Sequence, residues 1–180
     1  MNANKDRNLS GDTGSGSIPS WFQPELFPSA DEKLELSDEE WHERLSESEY
    51  RILRCEGTEM PFNNDYHDTK TEGVYLCRSC SNPIFSSTDK FDSGTGWPSF
   101  SIPISHDRIG VKTDNQLLVE RTEVHCARCH SHLGHVFDDG PAPTGLRYCL
   151  NSSTLRLIDE ANHKKIKESR EDELDFVLNR

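Results

Sequence analysis

Cys77-Arg78-Ser79-Cys80 and Cys126-Ala127-Arg128-Cys129 are two C-x2-C knuckles with 45 residues between Cys80 and Cys126. Within each knuckle the spacing lets both sulfurs face one ion, and four thiolates complete the closed tetrahedron of a structural zinc site. The interval is too long for a compact zinc ribbon. A strand-rich domain therefore fills it, with the ion pinning its two ends. A thioredoxin-like redox pair would need a βαβ setting, which the sequence does not offer. Two details stay open here. His125 and His130 flank the second knuckle and could stand in for a cysteine, and iron on four thiolates would read the same as zinc. A closed site of this kind does no catalysis; it adds folding energy that a small core lacks.

Outward from the knuckles, the 180 residues suit one domain with extensions, and 32% hydrophobic residues allow a modest core. A net charge of -12 disfavours non-specific binding to nucleic acid or anionic membranes, although a local basic patch stays compatible with it. No apolar run reaches the roughly 18 residues of a membrane span. Residues 1–20 carry neither the basic start and apolar stretch of a signal peptide nor the Arg-rich character of a transit peptide. The expected location is cytoplasmic. In that reducing setting, clustered cysteines bind metal or do chemistry more often than they form structural disulfides.

The chain divides into a flexible tail over 1–30, a domain over 31–158 and a charged extension over 159–180 that reads as helical and solvated. Inside the tail, Trp21, Phe22, Leu26 and Phe27 form an aromatic stretch with two readings, packing on the domain or docking a partner. Ser37-Asp38-Glu39-Glu40 and Ser46-Glu47-Ser48-Glu49 fit capping boxes, so two short helices are predicted. Trp41 and Leu45 share one face of the first, Tyr50 and Leu53 one face of the second. From Gly73 onward short strands and turns take over. Val74 and Leu76 alternate with polar neighbours, and so do Leu118 and Val124 after the Asp114-Asn115 turn signal.

Two cysteines remain, Cys55 and Cys149. In Arg147-Tyr148-Cys149-Leu150-Asn151-Ser152 the arginine lies on the same strand face as the thiol, and its charge would lower the thiol pKa. An inert, buried cysteine is the competing reading. His132 and His135, three apart around Gly134, suit metal ligation, acid–base work or plain surface polarity. Gly94-Thr95-Gly96-Trp97-Pro98 sets a tryptophan on a tight turn, where a side chain tends to face a pocket.

Taken in order, Gly57-Thr58-Glu59 with Pro61-Phe62, the two knuckles, Asp92-Ser93-Gly94 with Gly96-Trp97-Pro98-Ser99-Phe100, His132-Leu133-Gly134-His135-Val136-Phe137, Asp139-Gly140-Pro141, Pro143-Thr144-Gly145 and Arg147 to Ser152 resemble the methionine sulfoxide reductase B family. The match runs from about Leu45 to Leu157. The resemblance implies a mainly β fold of two small antiparallel sheets, preceded by short N-terminal helices, with one structural zinc on Cys77, Cys80, Cys126 and Cys129. It implies thiol-dependent reduction of methionine-R-sulfoxide, with Cys149 as nucleophile; a monomer is expected, and the oligomeric state stays open in the sequence itself. Trp97 and Phe137 would hold the substrate methyl group, His132 and His135 would handle the proton, and Arg147 and Asn151 would support the thiolate.

The sulfenic acid left on Cys149 must be resolved before it oxidises further. Many relatives carry a resolving cysteine between the glycines where this chain has Thr95. Similar family members place it upstream, which implies Cys55 here, with thioredoxin as reductant. The rival class is a zinc-stabilised binding module without turnover. That module shares the knuckles but has no need of Cys149 with His132 and His135.

Overall fold

Both capping boxes form as the sequence reads. Ser37 Oγ accepts from the Glu40 N–H while the Glu40 carboxylate accepts from the Ser37 N–H, opening helix α1 (Asp38–Arg44). Ser46 and Glu49 repeat the exchange at helix α2 (Glu47–Leu53). Each reciprocal pair satisfies two orphan donors at a helix start. Trp41, Leu45 and Leu53 are buried by the two helices, with Tyr50 packed beside them. The computed structural model describes residues 14–116 and 119–178, with side chains as far as residue 171. Leu118 and residues 1–13 of the expected tail lie outside the described residues.

Two antiparallel sheets follow, as expected. In the first, β1 (Val74–Cys77) lies between β2 (Pro83–Ser86) and β9 (Leu155–Ile158). The second runs in the order β3 (Lys90–Phe91), β4 (Ser99–Phe100), β8 (Arg147–Leu150), β7 (His132–Phe137), β6 (Arg121–Cys126), β5 (Ile109–Asp114). Aromatic rings from both sheets meet in the core. Tyr75 sits edge-on to Phe100 at 5.0 Å, and Phe85 lies 4.7 Å from Phe100 and 5.4 Å from Tyr148. Such pairs add about 0.5–1.5 kcal/mol each beyond the area they bury.

The alternation expected for Val74 and Leu76 is absent, because all four residues of β1 are buried. Tyr75 and Cys77 join the main core, whereas Val74 and Leu76 join a second cluster with Phe22 and Ile158. A strand covered on both faces loses its polar face, and here the cover comes from the chain ends. Phe22 stacks on Phe27 at 4.9 Å, and both rings lie against His163 of helix α3 (Glu160–Leu178). Of the two readings of the aromatic stretch, packing on the domain is the one observed. Further along, the Leu34 N–H donates to the Arg128 carbonyl and Lys33 Nζ to that of Ala127, tying this strap to the second knuckle.

Candidate active site and metal centre

The two knuckles share one turn geometry. The Ser81 N–H donates to the Cys77 carbonyl and the His130 N–H to the Cys126 carbonyl, and Ser81 (φ 63°) and His130 (φ 58°) both adopt the left-handed conformation. The four sulfurs, all buried, lie within 4.8 Å of one another, with Cys77 Sγ 3.7 Å from Cys129 Sγ and Cys80 Sγ 3.6 Å from Cys126 Sγ. A tetrahedral ion at the usual Zn–S length of about 2.3 Å requires sulfurs about 3.8 Å apart. The donor set therefore fits such an ion and could hold it. His125 and His130 are not part of the cluster among the described residues. Asn82 Nδ2 donates to Cys126 Sγ at 3.3 Å, and hydrogen bonds from neighbouring thiols hold the Cys126 thiol well below its ordinary pKa.

Cys149 sits at the centre of the larger sheet. Its register partners are Ser99 on β4 and His135 on β7. A cavity of about 120 Å³ opens beside it, lined by Thr58, Trp97, His135, Phe137, Cys149 and Asn151 among others. A Cβ at Gly134 would run into the Cys149 carbonyl and Leu150, so glycine is what lets β7 lie this close to β8. The expectation that Arg147 lowers the thiol pKa holds for the direction of its own effect. Burial nevertheless outweighs it, and the Cys149 thiol is raised above its ordinary value despite Arg147 and the hydroxyls of Thr95 and Ser99. Arg147 is itself held by a two-pronged pair with Asp139 (2.8 and 2.9 Å), and its guanidinium lies 4.4 Å from the Phe137 ring centre.

The two histidines differ in placement. His135 lines the cavity and donates its Nε2–H to Asp114 Oδ2 at 2.7 Å, an oxygen that also accepts from Arg121 Nη2 at 2.7 Å. The Asp114 carboxyl is lowered to about 2, chiefly by the Gln116 N–H, so it is ionised and can only accept. Nδ1 of His135 is then the position free to carry a proton. His132 lies behind, its ring 5.5 Å from that of His135, and its Nδ1–H donates to the buried Glu123 carboxylate at 2.7 Å. Burial lowers His132 to about 4, and its Nε2 is buried without a hydrogen-bond partner.

Asn151 works on the upstream segment. Its Oδ1 accepts from the Glu59 N–H and its Nδ2 donates to the carbonyls of Leu133 and Gly57. Trp97 Nε1 donates to the Glu59 carbonyl at 3.2 Å, and the Glu59 carboxylate accepts from the Ser152 and Ser153 N–H groups. These bonds bring Thr58 to the cavity. Cys55, three residues before Thr58, is exposed and does not line it. Sequence reasoning missed Asp114, Arg121, Glu123, Thr58 and Ser99. Asp114 had registered only as a turn signal, and its pairing with Arg121 could have been found from the hairpin it closes.

A SelR domain model matches residues 45–159. The chain is 50% identical over 125 residues to a peptide methionine sulfoxide reductase MsrB of Hahella chejuensis, spanning 69% of this chain and 90% of that protein. It is 53% identical over 127 residues to the protein of the same description in Pseudomonas savastanoi pv. phaseolicola, spanning 71% and 97%. With the chloroplastic peptide methionine sulfoxide reductase B1 of Oryza sativa subsp. japonica it shares 54% over 123 residues, spanning 68% and 57%.

Proposed function

This chain belongs to the SelR-domain family of B-type methionine sulfoxide reductases, and from that premise we propose that it reduces the R epimer of methionine sulfoxide, free or in proteins, with Cys149 as nucleophile. The observation that carries the reading is the single cavity in which Cys149 and His135 meet the apolar rings of Trp97 and Phe137. The rings take the methyl group and exclude water. The Cys149 thiolate attacks sulfur, and the sulfoxide oxygen, with a proton from His135, ends as the hydroxyl of a sulfenic acid on Cys149 while methionine departs. His132, edge-on behind His135, shares in handling that proton. Arg147 and Asn151 support the thiolate and the segment that closes the cavity.

Cys55 then attacks the sulfenic acid, forming the Cys55–Cys149 disulfide and releasing water, and thioredoxin reduces that disulfide. Because Cys55 is exposed and outside the cavity, residues 55–58 must shift to bring the two Cα atoms within about 6 Å. The cysteine cluster holds one zinc ion, which supplies folding energy and takes no part in the reaction. We place the domain at 31–158 and the protein, as a monomer, in the reducing cytoplasm. No described helix is long and apolar enough to cross a membrane.

The test is turnover of each epimer separately with dithiothreitol, beside Cys149→Ser. Reduction of the R epimer alone, lost in the variant, is the expected result; reduction of the S epimer, or an active variant, overturns the assignment. Cys55→Ser should keep turnover with dithiothreitol and lose it with thioredoxin.

A further inference from the structure

Away from the reductase cavity, and sharing no lining residue with it, lies a cleft of about 810 Å³. Five cations line it: Arg44 of α1, Arg128 of the second knuckle, Arg156 of β9, and Lys165 and Arg170 of α3. Among the described residues lining it there is no carboxylate, in a chain whose net charge is -12. Gathering like charges without counter-charge is unfavourable unless an anion completes the site.

The arrangement is a funnel. Arg128 and Arg156 are half-buried at the wall, each spending one terminal nitrogen on the protein, Arg128 Nη1 on the Cys80 carbonyl at 3.1 Å and Arg156 Nη2 on Ser81 Oγ at 2.8 Å. The Nε atoms of both are buried without a hydrogen-bond partner. Arg44, Lys165 and Arg170 are exposed, and no ion pair involves them among the described residues. A divalent ion on four thiolates would leave a net charge near -2 beside Cys80. That offsets the two wall arginines and leaves the three exposed cations without an ion pair among the described residues. Leu26, Phe27, Leu34 and Ile166 add apolar lining to the same cleft.

We infer that this cleft binds a small organic phosphate carrying two or more phosphoryl groups, the phosphates on the cations and the organic part on the apolar lining. Guanidinium forks suit phosphate oxygens geometrically, and the volume falls in the range of small-molecule sites, roughly 300–1,000 Å³. That apolar lining and three of the cations, Arg44, Lys165 and Arg170, come from residues outside the 45–159 match, so the site is an addition to the reductase domain.

Calorimetric titration of the zinc-loaded full chain with ATP and with tripolyphosphate, without magnesium, tests this. Saturable binding of ATP at one site per chain is expected, tighter than that of tripolyphosphate and weakening as salt rises. The double variant Lys165→Glu/Arg170→Glu, and separately Arg44→Glu, should weaken ATP about tenfold or more by removing charge-assisted contacts, with unchanged melting temperature and sulfoxide turnover. Absence of saturable ATP binding, equal binding by the variants, or binding of an Asp/Glu-rich peptide in place of ATP would each overturn the inference. Sulfoxide turnover, read in the same samples, reports separately on the reductase assignment.

Discussion

His135 and Cys149 are register partners on β7 and β8, and both side chains line one cavity. The pairing puts an imidazole beside a thiol by ladder geometry alone, with no loop required. It also explains why position 134 admits no side chain, since a Cβ there would push β7 off the backbone of Cys149.

The raised Cys149 thiol predicts slow reaction with iodoacetamide at neutral pH, rising with pH beyond the ordinary thiol range near 8.5. Arg147 opposes the effect of burial, so Arg147→Ala should move the alkylation profile to higher pH and slow the reaction at pH 8. Arg147→Lys should recover part of the shift. A profile that stays in place would show that the guanidinium does not act on the thiol.

Asp114 ties the acid side of the stability curve to the site. Its folded carboxyl titrates at about 2 against an ordinary 3.8. A depressed carboxyl stabilises the fold above its unfolded pKa, and that contribution is lost as pH falls through about 2. Asp114→Asn should therefore cost about 2 kcal/mol at pH 7 in urea unfolding, and the gap from the parent should narrow toward pH 2. His132, lowered from 6.5 to about 4, destabilises the fold on acidification over that higher window, because the unfolded chain takes up its proton first.

Removal of metal tests the cysteine cluster. Structural zinc in small domains contributes about 10–16 kcal/mol, which rivals a domain's whole stability of about 5–15 kcal/mol. A strong chelator, or Cys129→Ser, should abolish cooperative thermal unfolding followed by circular dichroism. Retention of a sharp transition in metal-free protein would show that the core suffices without the ion.

The readable features were those set by near neighbours in sequence. Both capping boxes, each knuckle's turn and the Trp97 turn depend on residues at most a few positions apart. What escaped depends on distant partners. β1 read as half-exposed because Phe22 and Ile158, which cover Val74 and Leu76, lie more than fifty residues away on either side. The Asp114–His135 and Glu123–His132 pairs needed the β5–β6–β7 register before they could be seen. For Cys149, the cationic neighbour was visible in the sequence and the larger effect of burial was not.

Phe22 offers a stability test remote from the chemistry. The ring is 5% exposed between Val74, Leu76 and Phe27. Phe22→Ala should cost about 3–5 kcal/mol through the cavity it leaves, measured by chemical denaturation, while dithiothreitol-driven turnover at low temperature stays near that of the parent.

The Gln23 N–H donates to His163 Nε2 at 3.0 Å, so the N-terminal strap and helix α3 hold each other as well as the sheet beneath them. Shortening either end would strip the other of its partner and bare Val74 and Leu76 to water. The two extensions are thus one cap delivered in two instalments.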